Sequence, residues 1–348
     1  MKIVATILLG PGSEKSVGEA IASAKAHVDE FLLIESGGGS LAVNAACKAL
    51  EGRAGERSII AKYRWANDYG AARQFALGQV RGLGMGTYAL TLDPDERLEL
   101  GEGFRDVIAA HPEADVWILP DRDTGYFKER IIRTDSKAFW HGKVCEFLDG
   151  RDVAGARLPG CFWELPKDDA SERRRFERGI VACTEMIEAG DDCYRWRRHR
   201  GTCFMGLGKQ AEALADYQAA LPLALNTHET AWMRYLICEQ LVLTGRSEEA
   251  RQLAAIGLAD HAGFVPEFGW ILAYTDQTAN PQNASRWAQM VLLSPADRTR
   301  IGFRGQKCKT GARQILQALH GKQPEEMQQA VTTVRPMMTA AAAMQAAQ

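Results

Sequence analysis

The spacing of apolar positions changes between two periods along the first 150 residues. Largely apolar runs at 3–9 and 31–34 have the length of buried strands, and the apolar residues between them recur at the spacing of one helix face. Glycines at 37–39 follow the second run, which is a strand–helix–strand pattern with its turn at a strand's carboxyl end. The same periods predict strands near 58–62, 87–92, 115–119 and 128–133, and helices near 40–51, 68–80 and 101–110. We therefore expect an α/β nucleotide-binding domain over residues 1–150.

The pattern changes after residue 150. Residues 151–170 contain Pro159, Gly160 and Pro166 without clear periodicity, so we predict a linker there. From Glu172 to about Leu293 the apolar spacing is helical throughout. We expect helical repeats over 171–295, further helices over 296–335 and a disordered tail over 336–348, which is rich in Ala, Met and Gln.

Small residues recur at a regular interval in the helical part of the chain. Ala213, Ala250 and Ala284 lie 37 and 34 residues apart, and Gly208 and Gly245 precede the first two. Small residues let two helices approach closely, and aromatic side chains fill the groove beside them. The interval and the residue types predict tetratricopeptide-like helix pairs.

Composition and charge indicate an ordinary soluble protein. The chain of 348 residues is 46% apolar and 25% charged, and its net charge of −2 gives no global field that favours nucleic acid or anionic membrane. No apolar stretch approaches the length of a membrane span. The eight cysteines contain no Cys-x-x-Cys pair, which suits reduced thiols. We expect a cytoplasmic protein with no nucleic-acid partner and no membrane span.

The candidate chemistry lies at the predicted carboxyl end of the strand at 87–92. Asp93 and Asp95 follow it, separated by one proline, and hard cations such as Mg²⁺ or Mn²⁺ prefer such oxygen ligands. The block at 65–73 precedes them and places Asp68 just before a predicted helix, where its carboxylate could cap free N–H groups. Together these features predict a cation site that faces a diphosphate.

These motifs resemble family 2 glycosyltransferases that have a GT-A fold followed by tetratricopeptide repeats. The residues that carry the resemblance lie at 34–37, 65–73, 92–96 and 130–146. The resemblance implies a metal-dependent inverting glycosyltransferase that moves a sugar from a nucleotide donor, expected to be a UDP-sugar. It also implies a divalent cation, Mn²⁺ or Mg²⁺, as cofactor.

The resemblance assigns roles to individual residues. Asp95 is the expected direct metal ligand, and Asp93 is expected to reach the ribose, or the metal through water. Glu35 matches a position that contacts the nucleoside. Asp68, unless it only caps its helix, lines the nucleotide pocket, and Arg73 faces the base or a phosphate unless it only pairs with a carboxylate.

Glu146 is the candidate general base, and its alternative role is an ion pair with Arg133 or Lys143. Three features depart from the family pattern. Cys145 stands where the family has a metal-binding histidine, Glu35 replaces an aspartate, and residues 10–14 lack the family's polar sequence.

An alternative function follows from these departures. A degenerate glycosyltransferase domain would serve, with its helical repeats, as an interaction scaffold. Convergence of Asp93, Asp95 and Glu146 with Arg73 in one cleft would favour the enzyme, whereas a buried Cys145 with Asp95 directed away into solvent would favour the scaffold. In the enzyme, the repeats are expected to bind a peptide or protein acceptor or to join two copies of the chain.

Overall fold

The computed structural model describes residues 1–51, 58–123, 127–150, 153–294 and 302–320. Its internal contacts divide the chain into two compact units, Met1–Ser171 and Glu172–Gln348. The first unit is a mixed α/β domain and the second is helical, so the predicted fold class is confirmed.

The N-terminal unit begins with strands and helices in alternation and ends with a series of strands. Its elements are β1 (Lys2–Leu9), α1 (Val17–Ala24), β2 (Glu30–Ser36), α2 (Ser40–Leu50), β3 (Ser58–Tyr63), α3 (Tyr69–Arg81), β4 (Thr87–Thr91), β5 (Glu96–Leu100), α4 (Phe104–Ala110), β6 (Val116–Pro120), β7 (Phe127–Arg133), β8 (Phe139–His141), β9 (Phe147–Asp149), β10 (Gly155–Arg157) and β11 (Gly160–Glu164).

One seven-stranded sheet organises this unit, in the order β10-β6-β7-β4-β1-β2-β3. β1 pairs in parallel with both β2 and β4, and β7 is antiparallel to both of its neighbours. The chain runs outward from β1 to β3 and then returns to the other side of β1 as β4. Ligands of open α/β sheets bind outside the carboxyl ends of the strands at such a reversal, here between β1 and β4.

The sheet is buried on both faces, which explains the near-continuous apolar runs in its central strands. Ile3 and Ile21 are fully buried in the cluster formed with α1 and α2, and Val4 and Leu77 belong to the cluster formed with α3. The central strands are therefore rigid supports for the loops that follow them.

The predicted linker at 151–170 differs from the structure, because part of this segment belongs to the N-terminal unit. β10 extends the main sheet beside β6, and β11 pairs antiparallel with β5. Phe162 is fully buried, and Gly160 has a φ of +127° with the carbonyl of Glu99 directly beside the position a Cβ would take. Strands of three to five residues are too short to show a period in the sequence.

The C-terminal unit is helical throughout its described part. Its helices are α5 (Asp169–Glu188), α6 (Tyr194–Gly206), α7 (Gln210–Ala220), α8 (Thr227–Leu243), α9 (Ser247–Asp260), α10 (Val265–Ala279), α11 (Pro281–Leu293) and α12 (Gly302–His320). Consecutive helices pack against each other as α6 with α7, α8 with α9 and α10 with α11. Within the described ranges, no helix has both the length and the apolar character needed to cross a membrane.

Small residues lie at the closest helix contacts. Ala213, Ala250 and Ala284 are fully buried, and a Cβ on Gly201 would lie 2.6 Å from the ring of Tyr217. The recurring small residues therefore mark close helix packing, as predicted. α12 lies within the predicted C-terminal helices at 296–335, and the predicted disordered tail at 336–348 lies outside the described residues.

Glu267, in the first turn of α10, is expected to destabilise the protein at high pH. Its side chain is buried, and burial raises its pKa to about 7 from 4.5. A carboxyl group whose pKa is raised on folding contributes full stability below its unfolded pKa and loses it as the pH rises through about 7. We expect Glu267→Gln to raise the free energy of unfolding by less than about 1 kcal/mol at pH 5 and by about 3 kcal/mol at pH 8.

Urea unfolding of the full chain at both pH values would measure this effect. Glu212→Gln on α7, at an exposed position, is the matched control and should change little at either pH. An equal gain from Glu267→Gln at pH 5 and pH 8 would contradict the ionisation argument.

Candidate functional site

Arg73 lies at the centre of the charged residues beyond the sheet's carboxyl edge. Its Nε donates to Oε1 of Glu146 at 2.6 Å, and its Nη2 donates to both carboxylate oxygens of Asp93 at 3.0 Å. The guanidinium also lies 5.3 Å from the ring centroid of Trp140. Arg73 is 8% exposed, so this is a largely desolvated charge held by two carboxylates. The structure thus brings Arg73, Asp93 and Glu146 together.

The start of α3 places Arg73. The Asp68 carboxylate accepts a hydrogen bond from the Ala71 N–H at 2.8 Å, which is the predicted helix cap. The next residues bind the loop that carries Glu146, because the Gly70 N–H donates to the Gly142 carbonyl at 3.1 Å. A Cβ on Gly70 would lie 2.5 Å from that carbonyl oxygen, so the contact requires glycine.

The loop between β8 and β9 is strained at the residue before Glu146. Cys145 has a φ of +47°, a left-handed conformation that non-glycine residues seldom adopt. Strain of this kind persists where the surrounding structure fixes the backbone. Here the loop is fixed by α3 on one side and by the Arg73–Glu146 pair on the other. Cys145 itself is half-buried.

A buried ion pair fixes the backbone of Asp93. Glu96, at the start of β5, accepts hydrogen bonds from Arg130 Nη1 at 2.8 Å and Nη2 at 2.6 Å. Its Oε2 also accepts the Asp93 N–H at 2.9 Å. The Arg130 guanidinium lies 3.8 Å from the ring centroid of Phe162 on β11. This pair therefore holds the turn after β4 in one conformation.

Two lysines continue the charged network towards Asp95. Lys128 Nζ lies 2.6 Å from Oε1 of Glu164 and 3.6 Å from Oε1 of Glu96. Lys167 Nζ lies 3.1 Å from Oδ2 of Asp95 and 3.4 Å from Oε2 of Glu164. The Asp95 side chain is therefore only partly exposed, and its carboxylate pairs with a lysine of the segment after β11.

The basic residues keep the carboxylates ionised. Burial opposes ionisation of Asp93, but the charges of Arg73, Arg130 and Lys128 outweigh it and lower its pKa to about 2. Burial likewise opposes ionisation of Glu164, whose pKa Lys128 and Lys167 lower to about 2. Groups with lowered pKa values contribute stability at neutral pH that is lost as the pH falls towards 2. At neutral pH the site therefore presents fixed charges of both signs.

The carboxylate oxygens of Asp95 are of the kind that a hard divalent cation prefers when it also binds a phosphate. Among the described residues, His, Cys, Asp and Glu side chains form no cluster of three or more that could hold a metal. Mg²⁺, however, is commonly bound through one or two carboxylates plus substrate phosphates. Both oxygens of Asp93 already accept from Arg73, whereas Oδ2 of Asp95 faces the Lys167 ammonium, a cation held by the chain itself. Asp95 is thus the carboxylate that suits a cation.

Glu35 lies on the other side of the β1 carboxyl end. It is paired in register with Leu9 of β1 and forms an ion pair with Lys62 at 3.6 Å. Nearby, Trp65 lies 3.5 Å from the position of a Cβ on Gly37 and donates from Nε1 to Asn67 at 3.0 Å. The predicted nucleoside contact and the predicted cation ligand therefore lie at the same edge of the sheet, with the end of β1 between them.

Sequence reasoning assigned no role to several residues of this network: Glu96, Lys128, Arg130, Glu164 and Lys167. The alternation of Lys128 and Arg130 along β7 was a usable signal, because residues two apart share one face of a strand. Lys167 lies far along the chain from Asp95 and follows a strand too short to predict, so its position gave no such signal.

Comparisons with known proteins add only distant likenesses. The sequence matches no family profile and no curated protein. A mannosyltransferase from Pyrobaculum calidifontis, solved with GDP-Man and Mn²⁺, is 12% identical over 92% of this chain and 88% of its own, with a TM-score of 0.38. MamA is 14% identical over 47% of this chain and 99% of its own, with a TM-score of 0.33. HddC from Yersinia pseudotuberculosis is 11% identical over 47% and 93%, with a TM-score of 0.30. Similarity of this size assigns the chain to no family.

Proposed function

We propose that the N-terminal unit is a glycosyltransferase that uses a nucleotide-sugar donor, expected to be a UDP-sugar. The observation that carries the proposal is the placement of Arg73 between Asp93 and Glu146 at the reversal point of the sheet. This arrangement joins the candidate base to Asp93, the carboxylate expected to contact the ribose, which lies two residues before Asp95. The motifs shared with family 2 glycosyltransferases support the same class of reaction.

The donor would lie across the carboxyl ends of β2, β1 and β4. Its nucleoside would meet Glu35, and its diphosphate would face Asp95. Asp93 would contact the ribose while Arg73 fixes its carboxylate. A divalent cation bound at Asp95 would neutralise the charge that develops on the leaving diphosphate. Lys128 and Lys167, which pair with Glu96 and Asp95, would add positive charge beside the diphosphate.

Glu146 would act as the general base in a single displacement. The acceptor oxygen forms its bond to the anomeric carbon as the bond from that carbon to the diphosphate oxygen breaks. The acceptor's proton passes to Glu146, and the nucleoside diphosphate leaves with the bonding electrons. A single displacement inverts the anomeric configuration. Arg73 would position Glu146 through the 2.6 Å hydrogen bond.

The helical unit would bind the acceptor or join two copies of the chain. Paired helices of this kind present extended surfaces to peptides and proteins. We therefore propose a peptide or protein acceptor, with self-association through the helices as the second option.

A non-catalytic scaffold is the alternative function, and Cys145 is the observation that favours it. This half-buried thiol stands where the resembling family has a histidine, and a thiol is a poorer partner than imidazole for Mn²⁺. A scaffold would keep the fold and lose nucleotide binding.

Thermal unfolding with UDP, with and without Mn²⁺, separates these functions. A ligand that binds the native state raises its apparent stability by mass action. At UDP concentrations about 100-fold above the dissociation constant we expect a gain of about 2.7 kcal/mol with Mn²⁺. Asp95→Ala should lose the part of this stabilisation that depends on Mn²⁺. Glu102→Ala, at an exposed position beyond the far end of β5, is the matched control and should retain it.

GDP and dTDP provide the remaining arm of this experiment. If GDP or dTDP stabilises the protein and UDP does not, the proposed enzyme function stands and the donor carries a different nucleotide. A protein that none of the three nucleotides stabilises, with or without Mn²⁺, would contradict the proposed transfer and support the scaffold.

A further inference from the structure

Lys167 pairs with one oxygen of the carboxylate at which a divalent cation is expected. Its ammonium lies 3.1 Å from Oδ2 of Asp95, and the side chains are 28% and 35% exposed, so solvent ions reach both groups. Neither proton transfer to Glu146 nor donor contact at Glu35 and Asp93 uses this lysine. Lys167 instead lies where the cation is expected.

We infer that Lys167 is an exchangeable counter-cation, which competes with a divalent cation for the Asp95 carboxylate and moves to the diphosphate when the donor binds. The inference deepens the proposed function, on which its nucleotide arm rests. Two cations that share one carboxylate repel each other, so Lys167 opposes binding of the metal alone. A diphosphate brings negative charge for both cations and removes this opposition.

Glu164 keeps the displaced ammonium within the site. Lys167 lies 3.4 Å from Oε2 of Glu164, whose other oxygen is 2.6 Å from Lys128. Lys167 can thus leave Asp95 while it remains beside the network that would face the diphosphate. The consequence is positive coupling, in which nucleotide and cation each raise the affinity for the other.

Mn²⁺ binding to the full chain, followed by the electron paramagnetic resonance signal of free Mn²⁺, tests this exchange without any activity measurement. Lys167→Met removes the charge and keeps the aliphatic stem. We expect Lys167→Met to bind Mn²⁺ alone about threefold to tenfold more tightly than the unmodified protein. The enhancement of Mn²⁺ affinity by UDP should shrink by the same factor. Lys167→Arg, which keeps the charge, should behave like the unmodified protein.

Two further variants locate the effect. Lys2→Met removes a lysine that is also paired with a carboxylate, Glu30 at 2.9 Å, at the amino ends of β1 and β2, away from the site. It should leave Mn²⁺ affinity unchanged. Asp95→Asn combined with Lys167→Met should abolish the gain.

The outcomes distinguish this inference from the proposed function. Unchanged or weaker Mn²⁺ binding by Lys167→Met would overturn the exchange, and so would a gain that survives in the Asp95→Asn background. Tighter Mn²⁺ binding by Lys167→Met without UDP binding by any variant would support the exchange at Asp95 and contradict the proposed donor.

Discussion

Replacement of Glu146 by glutamine is expected to lower kcat for glycosyl transfer by about 10²- to 10⁴-fold, the usual contribution of a positioned general base. Glutamine keeps a carbonyl oxygen that can accept from Arg73 Nε, so the loop after β8 should retain its position. It cannot accept the acceptor's proton. Binding of UDP should therefore remain within about twofold of the unmodified protein, since the donor's contacts are expected at Glu35, Asp93 and Asp95.

Single-turnover transfer rates and UDP affinity, measured on the same preparations, check this prediction. Glu113→Gln, at an exposed position before the start of β6, is the matched control and should keep the full rate. A rate within tenfold of the unmodified protein would show that Glu146 serves only as a structural partner of Arg73. Loss of UDP affinity in step with the rate would instead place Glu146 in donor binding.

The long elements of the N-terminal unit could be predicted because the positions of their apolar residues indicate which faces are buried. β1 is buried on both faces and appears as a near-continuous apolar run, and α3 follows a capping residue, Asp68, that the structure confirms. The short strands β8 to β11 could not be predicted. Their pairing depends on partners elsewhere in the chain, such as β5 for β11, and not on local periodicity.

Part of the candidate site follows from local sequence and part from the tertiary structure. Arg73, Asp93 and Glu146 were selected from motifs, and the structure joins them, while their catalytic roles stay predictions. The partner of Glu146 was not predictable. Arg133, one expected partner, donates to Asp115 at 2.8 Å instead. Arg133 lies at the end of β7 away from Lys128 and the site, a placement that follows from the sheet topology.

The pairing of Lys167 with Asp95 illustrates why spacing alone is insufficient. The lysine reaches the site only because β11 pairs with β5 and brings the following segment beside Asp95, whose carbonyl accepts the Leu165 N–H at 2.8 Å. Motif resemblance selects the carboxylate. Its state of pairing, which decides how a cation would bind there, requires the fold.

Disruption of the Glu96–Arg130 pair is expected to cause the largest loss of stability in the N-terminal unit. The side chains are 1% and 3% exposed, and both guanidinium Nη atoms donate to Glu96. Glu96→Gln leaves a buried guanidinium without its countercharge and turns an amide donor towards it. We expect the free energy of unfolding to fall by about 3–5 kcal/mol, the range for a buried pair that loses one partner.

A double-mutant cycle of Glu96→Met, Arg130→Met and the double variant, measured by urea unfolding, separates the interaction of the pair from the effect of its surroundings. Arg130→Met should destabilise by a similar amount, because it leaves Glu96 buried with less positive charge around it. The double variant Glu96→Met, Arg130→Met should lose less than the sum of the single losses, since it buries no unpaired charge at these positions. Glu99→Gln, at the exposed position on the same strand, is the control and should change stability by less than about 0.5 kcal/mol.

The same variants connect stability to the site. Glu96 accepts the Asp93 N–H at 2.9 Å, so its replacement should also loosen the turn that presents Asp93 and Asp95. We expect the double variant to remain folded and yet bind UDP with Mn²⁺ more weakly, because methionine cannot accept that hydrogen bond. If the double variant recovers both stability and UDP affinity, the buried pair serves packing alone. If it recovers stability without affinity, Glu96 is the residue that positions the turn after β4 for the donor.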